Sequence, residues 1–296
     1  MRLAASALAC LVAAFAVMSA IVVAGSIMRD VAIARPGAAA GVDARAAALF
    51  SADVVRRLDA LIAKFPGRAG VWVADPKSAV PLYAHDGDAK VTTASLYKLG
   101  VLMEAERRVD SGQLRYSDSI TIGPDDVTDE GSAYEPGTLL SLDDALEAMI
   151  TVSDNGAALA LWHLFGASAI EASLVRAGLP DLLMFDADGN TLTTPHATGT
   201  FFQLLARKEL VSAAASDRMI ARLERQTLND RLPALLPKQT VVAHKTGNLP
   251  GLVHDAGIIF TPGGPRTVVV MTWDTFDGAS RFIAEVGAIV YGASAP

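Results

Sequence analysis

The chain of 296 residues has a single cysteine, Cys10, so it has no disulfide framework and no C-x-x-C or His/Cys set with metal-ligand spacing. Neither a metal nor a cofactor is expected. Cys10 also lacks the leucine three positions earlier that a lipidation site carries, and apolar sequence runs on beyond it. A basic excess is missing too: the net charge is −7, which excludes the positive footprint of a nucleic-acid-binding surface. Charge of either sign is absent from Leu3 to Met28, a stretch longer than a signal-peptide core and sufficient for a membrane span. Val22-Val23-Ala24 and Ala38-Ala39-Ala40 offer small residues for cleavage, while Arg2 on one flank and Arg29 and Arg35 on the other leave orientation open. Residues 1–28 thus read as a signal peptide or signal anchor. The protein is expected to be exported, periplasmic or extracellular, and held at the membrane through residues 3–28 if they are not cut.

Residues 29–50, rich in Ala and Gly around Pro36, read as a tether, and 51–296 as one domain. With 51% apolar residues the chain can bury a sizeable core. Ser51 can cap a helix whose apolar positions Val54, Val55, Leu58, Leu61 and Ile62 recur at helical spacing. Val71–Ala74 and Val80–Tyr83 predict a hairpin around Asp75-Pro76-Lys77, and residues 95–109 a helix. Ser117–Ser141 reads as an exposed loop. Further helices are expected over 142–152, 156–165, 168–177, 195–205, 216–225, 230–236 and 279–291, and strands over 240–245, 257–261 and 267–273. The pattern is α+β: a five-stranded antiparallel sheet with helices from both ends of the chain.

Three strings carry chemistry. Ser95 and Lys98 stand three apart at the start of an apolar segment, which on a helix brings their side chains within about 5–6 Å. A serine hydroxyl is a weak nucleophile that needs a base, and a lysine serves only when burial or a second cation lowers its pKa. Alone, S-x-x-K arises by chance on the order of once in a chain of this length. Ser153-Asp154-Asn155 and Lys245-Thr246-Gly247 follow it in order, and all three together arise by chance at well under roughly one in a hundred.

With these three strings the chain resembles the serine β-lactamase and penicillin-binding protein superfamily, and within it the class A group. The likeness runs from about Ser51 to Gly292 and takes in Leu192-Thr-Thr-Pro195, Leu228-Asn-Asp-Arg-Leu-Pro233 and Ile283-Ala-Glu-Val-Gly287. It implies a β-lactamase/transpeptidase-like fold, a five-stranded sheet packed with an all-helical subdomain and the active site between them. By the same resemblance Ser95 is the acylated nucleophile, Lys98 its proton acceptor and Ser153 a proton relay. Asn155 would bind the substrate amide, Lys245 and Thr246 with Gly247 its carboxylate. The N–H groups of Ser95 and Asn248 would hold the oxyanion.

Two features depart from the class A pattern. No glutamate lies between Ala172 and Lys208, where class A enzymes carry the base that activates the deacylating water. Asp186 and Asp188 are the carboxylates available there, and a turn-stabilising role before Gly189 competes with a catalytic one. The strand after Lys245-Thr-Gly also lacks an arginine for the substrate carboxylate, with His254 and Arg281 as stand-ins and a structural role for each as the alternative. His244 is expected to point to the other strand face. The reading is a monomeric serine hydrolase opening β-lactam rings through an acyl-enzyme. The alternatives are a D-alanyl-D-alanine carboxypeptidase acting on cell-wall peptides and a β-lactam-binding sensor without turnover.

Overall fold

The computed structural model describes residues 50–128, 131–275 and 277–294. The leader and most of the tether therefore lie outside the described residues, and among those described no single helix is long and apolar enough to cross a membrane.

In chain order, helix α1 (Ala52–Ile62) begins at Ser51, whose side chain accepts from the Val54 N–H. Strands β1 (Arg68–Ala74) and β2 (Tyr83–His85) follow, then the short β3 (Val91–Thr92), a 3₁₀ turn over Ala94–Tyr97 and helix α2 (Lys98–Asp110). The small β4 (Ser119–Thr121) and β5 (Leu139–Ser141) precede α3 (Leu142–Thr151), α4 (Asn155–Phe165) and α5 (Ala167–Arg176). A second small pair, β6 (Met184–Phe185) and β7 (Thr191–Thr193), leads to α6 (Pro195–Ala206) and α7 (Ala213–Leu223). Strands β8 (Val242–Leu249), β9 (Leu252–Thr261) and β10 (Gly264–Trp273) and helix α8 (Ala279–Gly292) complete the chain.

The main sheet has the order β2-β1-β10-β9-β8, antiparallel throughout. Both its faces are covered, which is why its strands read as unbroken apolar runs rather than alternating ones. Val71, Val73, Val268 and Val270 turn to one face and pack with Val54, Leu58, Phe282, Ile283 and Val286 of α1 and α8. Trp72, Ala74, Val269 and Met271 turn to the other, where Phe201 and Phe202 of α6 and the helical part of the domain form the larger core. The expected α+β architecture is the one observed.

Three expectations need correction. The second strand of the first hairpin starts at Tyr83, not Val80, because Ser78 Oγ donates to the Val80 carbonyl and accepts the Val80 N–H, holding the chain in a wide turn. Ser117–Ser141 is not all loop: β4 pairs with β5 through Ile120 and Leu140, strands too short for their alternation to stand out. The segment 230–236 is not a helix but a chain of turns. The buried Arg231 reaches the Gly247 and His254 carbonyls, and the Leu232 N–H reaches Asp255, so the segment is tied to β8 and β9, and its own backbone bonds, Ala234 N to the Arg231 carbonyl and Leu236 N to the Pro233 carbonyl, close single turns.

Candidate active site

Ser95 lies in the 3₁₀ turn ahead of α2, and Lys98 opens that helix. Ala94 just before it has φ 45°, a left-handed conformation that side-chain-bearing residues seldom adopt. Such backbone persists only where its surroundings impose it. Here β3 ahead of the turn is bound to the β6–β7 hairpin: Val91 and Thr92 pair with Thr193 and Leu192, and the Thr93 N–H donates to the Thr191 carbonyl at 2.9 Å. From the other side, β8 presses on the turn. A Cβ built on Gly247 would lie 3.2 Å from Ala94 Cβ and 3.2 Å from the Thr93 carbonyl oxygen, so the glycine of the third string is what lets β8 approach. Gly247→Val is expected to push the strand away and to cost about 1–3 kcal/mol through overpacking, read as a lower midpoint in urea unfolding.

The second string sits where α3 ends and α4 begins. Ser153 has φ 61°, again left-handed, and in this conformation both its carbonyl and its hydroxyl meet Lys98. Asp154 caps α4, with Oδ1 accepting from Ala157 N at 2.8 Å and Oδ2 from Ala133 N at 2.7 Å. The middle residue of the string is thus committed to holding the loop 131–134, and Asn155 N reinforces it by donating to the Gly131 carbonyl at 2.7 Å.

Lys98 Nζ is fully buried and stands 2.6 Å from the Ser153 carbonyl, 2.7 Å from Asn155 Oδ1, 3.2 Å from Ser153 Oγ and 3.3 Å from the Asp154 carbonyl. Lys245 Nζ, also fully buried, reaches the same Ser153 Oγ at 2.9 Å and the Thr246 carbonyl at 2.8 Å. Two amines therefore share one hydroxyl. Burial lowers the Lys98 pKa to about 7, against an opposing pull from Asp154. Burial also holds Lys245 well below the usual lysine range, with the Lys98 charge adding to it and Asp255 working the other way. A cleft of about 410 Å³ opens in front, lined by Ser95, Tyr97, Asn155 and Asn248 among others.

The structure thus brings Ser95, Lys98, Ser153, Asn155, Lys245 and the Gly247–Asn248 stretch of β8 together. It does not bring Asp186 or Asp188 to the cleft lining. Asp186 Oδ1 accepts from Asp188 N and Asn190 N, and Oδ2 from Asn190 Nδ2, so this carboxylate closes the turn between β6 and β7. Gly189, Asn190 and Thr191 of that turn line the cleft instead. His254 is buried, accepting from Thr272 N at Nδ1 and facing the Thr92 carbonyl with Nε2 at 3.0 Å; burial pushes its pKa down to about 4. It ties β9 and β10 to the strand before Ser95 as a neutral ring. Arg281 pairs with Glu285 on the surface of α8. His244 turns to the opposite face of β8 and meets Asp255 Oδ1 at 2.8 Å and Asn229 Oδ1 at 3.0 Å.

The cation that spacing did not single out is Arg231. Its Nη1 donates to the Gly247 carbonyl at 3.1 Å and the His254 carbonyl at 2.9 Å, and its Nη2 to Asn248 Oδ1 at 3.2 Å, which sets a third positive charge against β8 where Asn248 faces the cleft. Nothing in Leu228–Pro233 as a string signals that burial.

With this geometry in hand, the comparison with known proteins is specific. The model of the "Beta-lactamase enzyme family" matches residues 53–293. The chain belongs to this family. It is 26% identical over 227 residues to the β-lactamase VEB-1 of Pseudomonas aeruginosa, covering 67% of this chain and 76% of that one. Among solved structures it is similar to an ancestral (GNCA) class A β-lactamase, with 29% identity, a TM-score of 0.74 and coverage of 81% of this chain and 99% of that one. It is also similar to a mutant of PBP-A solved as an acyl-enzyme complex with penicillin G, at 27% identity and a TM-score of 0.72, over 81% of this chain and 96% of that one. The family member described here is serine β-lactamase-like and has the β-lactamase/transpeptidase-like fold.

Proposed function

We propose that the protein opens β-lactam rings by acylation of Ser95, with Lys98 as the base, and then hydrolyses the ester. The observation that carries this is the sharing of Ser153 Oγ by Lys98 and Lys245, both buried. Burial disfavours two ammonium groups side by side, and an amine that gives up its proton can take one from a hydroxyl. The neutral amine is assigned to Lys98, three residues from Ser95. Lys245 keeps its charge when the carboxylate of a substrate arrives, because an anion nearby favours the protonated form. Ser153 then hands a proton to the leaving nitrogen. Asn155 binds the substrate amide, Lys245 and Thr246 beside Gly247 take the carboxylate with Arg231 adding field from behind β8, and the N–H groups of Ser95 and Asn248 hold the oxyanion.

The sign of the pH dependence follows. Lys98 acts as a base only when neutral, so kcat/KM for acylation rises with pH, flattens above about 7 and falls about tenfold per unit below it. A stopped-flow series with a chromogenic cephalosporin from pH 5 to 9 reads this directly. An acid limb centred near 10, the range of an unburied lysine, counts against Lys98 as the base.

A second reading is favoured by one observation: among the described residues no carboxylate lines the cleft, and Asn190 faces it from the turn that Asp186 closes. Without a base the ester persists, which suits a D-alanyl-D-alanine carboxypeptidase or a sensor better than a fast lactamase. Labelled penicillin followed over time separates them. A burst followed by continued release supports the lactamase; a lasting adduct together with D-alanine release from a pentapeptide supports the peptidase. The protein is proposed to work outside the cytoplasm, behind a cleaved or retained leader.

A further inference from the structure

Although the chain is acidic overall, one cavity outside the cleft is built from guanidinium groups. Glu104 of α2 is fully buried there. Its Oε1 accepts from Arg108 Nε at 2.7 Å and Arg107 Nη2 at 2.8 Å, and its Oε2 from Arg107 Nε at 2.7 Å and from Ser173 Oγ. Ser173 Oγ accepts in turn from Arg176 Nη2 at 2.7 Å. The cavity of about 470 Å³ is lined by these three arginines and Glu104, and the small Ala169 and Ala172 of α5 leave its mouth open.

The charges do not balance. One carboxylate faces three cations, which leaves an excess of two positive charges in one concavity. Glu104 is spent on Arg107 and Arg108, and among the described residues Arg176 forms no ion pair; its side-chain hydrogen bond runs to Ser173. A cation in the last turn of α5 complements the helix dipole wherever its head lies. Here the head is turned toward Ser173 and the cavity instead.

We propose that this cavity binds a phosphate group, held between α2 and α5 by Arg107, Arg108 and Arg176. A phosphate group near neutral pH carries about −1.5 to −2, which matches the excess, and its several oxygens can accept from guanidinium forks arriving from two helices, where a carboxylate would offer only two. Buried Glu104 sets the Arg107 and Arg108 forks in place and Ser173 holds that of Arg176, so less side-chain freedom remains to be lost on binding.

The test is calorimetric titration of inorganic phosphate into the protein, with ionic strength fixed by chloride, and a parallel arm with glycerol 3-phosphate. Saturable binding of one phosphate is expected, weakened at least about tenfold by Arg176→Ala, the loss expected for one charged hydrogen-bonding partner. Acetate should not compete. Binding in both arms assigns the site to phosphomonoesters, and binding of inorganic phosphate alone assigns it to the free ion. Unchanged penicillin labelling of Arg176→Ala certifies that this exposed position leaves the fold intact. Absence of saturable heat, or equal affinity in the variant, overturns the proposal, and neither result bears on the chemistry at Ser95.

Discussion

Ser95→Ala is expected to abolish covalent labelling by a fluorescent penicillin while the protein keeps its unfolding midpoint. The side chain removed is small and half-exposed at the cleft, so little packing is lost. The backbone strain around it, at Ala94, is imposed by β3, the β6–β7 hairpin and β8, not by the hydroxyl. Ser153, whose hydroxyl is within reach of Lys98, is not expected to substitute as nucleophile, because it already engages both Lys98 and Lys245. Labelling that survives in the variant at more than a trace contradicts the assignment.

Lys98→Met should separate chemistry from stability in the opposite sense to most buried substitutions. Losing the amine leaves the Ser153 carbonyl without its close donor, a cost of about 1–3 kcal/mol for an unsatisfied buried group. Against this, with a pKa of about 7 the buried amine is protonated about half of the time at neutral pH, and removing it relieves the desolvation of that charge beside Lys245. The two nearly cancel, so the melting temperature should move by only about 5 °C or less in either direction. Acylation should fall on the order of a thousandfold, the worth of a general base in such a step. A variant that acylates within about threefold of the parent, measured by stopped flow, removes Lys98 from the proton transfer.

Much of the architecture was legible because burial constrains it. Runs such as Val268-Val-Val-Met271 can only be strands covered on both faces, and α1 and α3 have both a periodic stripe and a serine cap ahead of it. The site strings were legible for a related reason: hydroxyl and amine must stand a fixed number of residues apart for one turn to present them together. What escaped were features made by contacts distant in sequence. Arg231 looks like a surface residue in a string, and His254 is open there between a carboxylate binder and a structural ring, yet each bridges backbone carbonyls or strands from inside the fold. The hairpin over 184–193 has strands of two and three residues, too short to show a period, and its role is fixed by pairing with β3 some hundred positions away. Asp186 was ambiguous between base and turn, because a carboxylate three before a glycine serves either; its three hydrogen bonds within the turn are visible only in three dimensions.

Esterification of Ser95 with help from the paired lysines is the step from which the proposed chemistry follows. Intact-mass analysis of the protein after exposure to penicillin G, followed by peptide mapping of the adduct, tests it most directly. One penicilloyl group per chain, carried by the peptide that contains Ser95 and formed more slowly at pH 5.5 than at pH 8, is the predicted result. A protein that takes up no mass under these conditions, or takes it up on a peptide without Ser95, contradicts it.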